Sequence, residues 1–211
     1  MKDFSIPMAL VDYIPVILFA AASVILIRDM YNKMSKGAFA LFAAGSIDII
    51  SAGFLKATYK LLYALNICDF SRLSDIFFPM QSLGFILAGI AILALLTHRQ
   101  GQKRLCVVAP PVFNGTFIFI ILIILGLGLM DIGLCIMAVK LKKHGLIALF
   151  AVSFVCSLCM GYLSSHDFDL AMINWIAEAV NIIGQGTFLV GAIIMHKNGF
   201  ADLTLREEQI S

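Results

Sequence analysis

The sequence predicts an all-α fold, a polytopic membrane bundle of about six transmembrane helices. Three observations predict it. The 211 residues are 61% hydrophobic and only 13% charged, where soluble domains are usually about half apolar and a quarter charged. The apolar residues fall in long runs with few charges, each long enough to cross a bilayer as a helix. The charged residues gather in the short stretches between those runs. A single bundle uses nearly all of the chain, with no stretch left over for a soluble catalytic domain. The formal net charge of +2 comes from short loops rather than a basic patch, which excludes nucleic acid as a partner and leaves membrane lipids.

Helix 1 is expected at 8–27. It is read as a spanning helix and not a cleaved signal, because no small-residue cleavage site precedes a polar mature domain. Helix 2 covers 37–55 or runs on beyond it, helix 3 covers 76–96, and helix 4 covers 112–139, long enough to be tilted or broken. Helix 5 spans 146–163 and helix 6 spans 173–195. Between helices 2 and 3, Lys56, Tyr59, Lys60 and Tyr63 recur at helical spacing. That pattern suits a short amphipathic helix at the headgroup level, with both lysines snorkelling to the interface, the alternative being that they serve as counter-ions for Asp48. The 198–211 tail is polar.

An internal repeat is visible. Displaced by 108 positions, 37–55 matches 145–163 at seven of nineteen residues. The matches begin with Gly37 on Gly145 and end with Gly53 and Leu55 on Gly161 and Leu163. Displaced by 102, Gly84, Leu87, Gly89 and Ile92 meet Gly186, Leu189, Gly191 and Ile194. The chain therefore divides into a first three-helix repeat (1–97), a basic linker (98–111), a second three-helix repeat (112–197) and the tail. Three crossings is an odd number, so the second copy is expected to be inverted, as in many transporters. Under simple alternation the basic residues are shared almost evenly between the two sides, and orientation stays open. The basic stretches 98–104 and 140–144 then flank a single helix and face opposite ways.

Ionisable groups inside a span are functional candidates, because a bare charge in hydrocarbon is costly. Asp48 lies in helix 2 between Ser46 and Ser51, and Asp131 lies in helix 4 among Gly126, Gly128 and Gly133. On helix 6, Asn174, Glu178, Asn181 and Gln185 stand at i, i+4, i+7 and i+11, which places them on one face. Such a stripe must meet a neighbouring helix or a watered cavity. On helix 3, Asp75, Pro79 and Ser82 form a thinner stripe expected to face it.

Other motifs carry less. Cys156 and Cys159 have CxxC spacing but lie inside a helix, where small residues pack between neighbours. The four histidines fall at helix ends or in loops, which speaks against a bis-His haem. No cofactor or metal is expected. The best expectation is a multi-pass protein of the cell membrane that transports a small solute or ion. Its pathway is lined by helix 6 and the intramembrane carboxylates, and a homodimer is plausible on helix number. The alternative is a sensor or binding module for a lipid or small apolar ligand. A membrane-embedded enzyme ranks last.

Overall fold

A computed structural model describes residues 5–97, 116–163 and 171–203. Six of its helices are long and apolar enough to cross a membrane, so the chain is read as a multi-pass membrane protein. No strand occurs among the described residues. Helices satisfy their own backbone hydrogen bonds, which lipid cannot do. The spans are α1 (Ile6–Met30), α2 (Lys36–Ala64), α3 (Arg72–Thr97), α4 (Thr116–Lys140), α5 (Gly145–Leu163) and α6 (Ala171–Lys197). Two starts are capped by serine hydroxyls. Ser5 accepts from the Met8 amide at 3.4 Å, and Ser35 accepts from the Ala38 amide at 3.2 Å. The α6 terminus turns through Gly199 at φ 78°, a left-handed position that glycine occupies at little cost.

Helix 2 runs nine residues past its expected end. Lys56 to Ala64 continue α2 instead of forming a separate interfacial helix. The reason is that Lys60 has buried partners, described below, which a headgroup-level helix would not supply.

The spans form a closed ring in chain order. Antiparallel neighbours follow from short loops. Tyr13 of α1 bonds Thr58 of α2 at 2.9 Å, while Tyr31 packs on Phe39 near the opposite end. A Cβ on Gly45 of α2 would fall 2.5 Å from the Gly84 carbonyl oxygen of α3. Glycine at both positions lets these backbones approach so closely. Gly128 of α4 faces Phe154 of α5, and Gly191 of α6 faces Phe150. Two neighbouring pairs are parallel. On α3 and α4, Gly89 meets Gly126, while Ile92, further along, meets Gly133. On α1 and α6, Phe19 stacks on Phe188 at 5.7 Å, and Asp29 bonds His196 at 2.8 Å.

These contacts correct the expected inversion. α1–α3 and α4–α6 run in the same sense, so the second triplet is not inverted relative to the first. The parity argument assumed that helix 4 starts where helix 3 ends. Since α3 and α4 are parallel, Thr97 and Thr116 lie at opposite ends of the bundle.

The same geometry sorts the charges of the described residues by end. Arg28, Lys33, Lys36, Lys140, Lys142, Lys143 and Lys197 gather at the end marked by Asp29. The end marked by Asp12 carries Arg72, Asp69 and Asp75. At the Asp29 end, Phe200 folds back and is fully buried, and Lys33 donates to the Leu203 carbonyl oxygen while lying 5.8 Å from the Phe200 ring. Burial pulls the Lys33 ammonium below the ordinary lysine pKa, against the opposing pull of Asp202 and Asp29.

Candidate functional site

The ring encloses a cavity of about 130 Å³ to which all six spans contribute. Most of its wall is apolar. Val16 and Phe19 of α1, Ile49 and Ile50 of α2, Phe85 of α3, and Ile120, Ile123 and Leu127 of α4 line it. Polar groups enter from five spans: Asp12, Lys56, Gln81, Ser157, and the pair Asn181 and Gln185. At mid-span the floor is aromatic. Phe19 lies 6.2 Å from Phe85 and stacks on Phe188, which in turn packs at 5.9 Å on Phe150. The cavity thus occupies the half of the bundle nearer Asp12.

Beside it lies a buried charge cluster. Lys60 Nζ stands 3.0 Å from Asp12 Oδ2 and 3.0 Å from Glu178 Oε1. It joins α1, α2 and α6, and it donates a hydrogen bond to Glu178. Two buried carboxyls sharing one ammonium leave acceptor capacity over. Among the described residues, Asp12 Oδ2 is within ion-pair distance of Lys60 yet accepts no aligned hydrogen bond, and Glu178 Oε2 accepts none. Lys56, one turn before Lys60, lines the cavity with its ammonium 4.2 Å from the centre of the Phe77 ring. That ring face is an electrostatic partner for a cation. Asp12, Glu178, Lys56 and Lys60 together balance in formal charge.

The structure treats the sequence candidates unevenly. The helix 6 stripe faces inward along its whole length. Asn174 and Glu178 are buried, and Asn181 and Gln185 line the cavity. Lys60 does not snorkel, and neither lysine pairs with Asp48. Asp48 is half-buried and outside the cavity. Asp131 is buried with both oxygens lacking a hydrogen-bond partner among the described residues, and it too lies outside the cavity wall. Asp75 and Pro79 are exposed, so the expected facing stripe on helix 3 does not form. Ser82 turns back to donate to the Pro79 carbonyl oxygen at 2.9 Å. Cys156 packs beside Gly184, and Cys159 is exposed. No cluster of metal-ligating side chains occurs among the described residues.

The sequence reading missed Asp12. It lies four residues inside the expected first span, so the rule that singled out Asp48 and Asp131 applies equally to it. Gln81, on the cavity wall, was also passed over. Compared with protein-family models, curated proteins and solved structures, the chain matches none.

Proposed function

We propose that this chain is a carrier for a small solute in the cell membrane, binding it in the axial cavity between two like-oriented three-helix repeats. The observation that carries the reading is the position of the cavity. It lies on the axis, reaches mid-span, and is walled by both triplets. Carriers built from parallel repeats related by an axis along the membrane normal hold their substrates at such a repeat interface. The buried ionisable cluster at its edge suits the same reading, because intramembrane charges are retained mainly along substrate or ion pathways. The surplus of Lys and Arg at the Asp29 end among the described residues supports a cytoplasmic position for that end by the positive-inside rule. The cavity then faces the outer half of the membrane.

A second reading is a sensor that holds a small ligand without passing it on. The closed aromatic floor of Phe19, Phe85 and Phe188 and the buried Phe200 cap favour it. Solute uptake into liposomes carrying the purified protein, compared with an Ile123→Trp variant, separates the two. Ile123 lines the cavity, and the larger indole fills it. Uptake that Ile123→Trp removes supports the carrier. A folded protein that binds a solute and moves none supports the sensor.

A further inference from the structure

We propose that the solute is a small zwitterion with an apolar body, of the size and chemistry of a short branched α-amino acid. This rests on the carrier reading and names its substrate class. Size is the first constraint. An apolar cavity of about 150 Å³ holds benzene, so a partly open cavity of about 130 Å³ takes a small solute of the order of benzene in size.

Charge is the second constraint. The wall presents one carboxylate, Asp12, and one ammonium, Lys56, from neighbouring helices. With Glu178 and Lys60 behind them the cluster is formally neutral, so a solute bearing net charge would leave an uncompensated charge in a low-dielectric interior. A zwitterion adds none.

Hydrogen-bonding capacity is the third constraint. The Asp12 carboxylate on the cavity wall suits a ligand ammonium, which has three donors and no acceptor. The Lys56 ammonium and the side-chain amides of Asn181 and Gln185 supply donors for a ligand carboxylate. The rest of the wall, Phe19, Ile49, Phe85, Ile123 and Leu127 among it, accepts only hydrocarbon. A zwitterion also needs a carrier, since charged groups do not cross hydrocarbon unaided.

The test holds the apolar body constant and varies the head. Binding of valine, isobutylamine, isobutyrate and isobutanol to the purified protein is measured by calorimetry at one pH and salt concentration. Valine should bind about tenfold or more tightly than each of the other three, because each lacks at least one charge-assisted hydrogen bond. Asp12→Asn should erase most of the advantage of valine over isobutyrate. Lys56→Met should do the same for valine over isobutylamine, and it serves where Asp12→Asn fails to fold. If isobutylamine, isobutyrate or isobutanol binds as tightly as valine, the zwitterion assignment is overturned while the cavity keeps its role. If none of the four binds a folded protein, the assignment is also overturned. The carrier reading then stands or falls on uptake of other solutes.

Discussion

Replacing Lys60 by Met probes the arrangement that ties three spans together. The Lys60 side chain is 7% exposed, and its partners Asp12 and Glu178 are 9% and 4% exposed. Methionine nearly conserves the volume and helix propensity of lysine, so the change removes the ammonium and little else. Two buried carboxyls then lose the cation they share. Removing one partner of a buried ion pair costs about 3–5 kcal/mol, because the remaining charge is stranded out of water. That corresponds to a folded-to-unfolded ratio lowered by roughly 10²- to 10⁴-fold. Reversible unfolding in mixed SDS micelles measures it. The triple variant Asp12→Asn, Lys60→Met, Glu178→Gln supplies the contrast. It removes all three charges together, and its stability should return to within about 1 kcal/mol of the parent chain, since neutral replacements of buried ion clusters are often tolerated. A Lys60→Met protein within about 1 kcal/mol of the parent would refute the reasoning, since the carboxyls would then not depend on the lysine.

Two further predictions follow from the helix packing. A Cβ on Gly126 would press into the backbone of Phe85 and Ile86, whereas one on Gly186 meets nothing within 4 Å. Gly126→Ala should therefore destabilise the bundle by about 1–3 kcal/mol or more, measured in the same unfolding assay, while Gly186→Ala should leave it unchanged or slightly more stable. The parallel arrangement of α3 and α4 makes a topological prediction. In a background with the native cysteines replaced, cysteines at Lys36 and Lys143 should react with a membrane-impermeant thiol reagent from one side, and a cysteine at Asn66 from the other. Simple alternation of six crossings puts 36 and 143 on opposite sides.

The spans themselves were legible because length and hydropathy determine them almost without reference to tertiary structure. Four of the six expected helices reappear within a few residues at each end, and helix 4 does so at its C-terminal end, its expected start at 112–115 lying outside the described residues. Helix 2 ran on because Lys56 and Lys60 read locally as interfacial residues, while the partners that draw Lys60 inward come from Asp12 and Glu178. The latter lies 118 positions away, and no local pattern reports such a pairing. The inward face of helix 6 was legible because helical spacing alone puts Asn174, Glu178, Asn181 and Gln185 on one side. What that side meets was not. Part of it forms the ion cluster and part the cavity wall, and only the ring order of the six helices decides which. The relation of the halves was misjudged for a similar reason. The similarity of the two stretches carries no information on the direction in which helix 4 runs, and the parallel contact of Gly89 with Gly126 supplies it.

The most direct test of the account asks whether one cavity residue is reached from both sides of the membrane. Gln185→Cys, in a chain whose five native cysteines are replaced by serine, is exposed to an impermeant thiol reagent in right-side-out and inside-out vesicles. A carrier with a single axial site opens to each side in turn, so the account predicts reaction in both preparations and protection in both by a bound solute. Reaction from one side alone, with the protein folded, would contradict the carrier and leave a ligand-holding pocket.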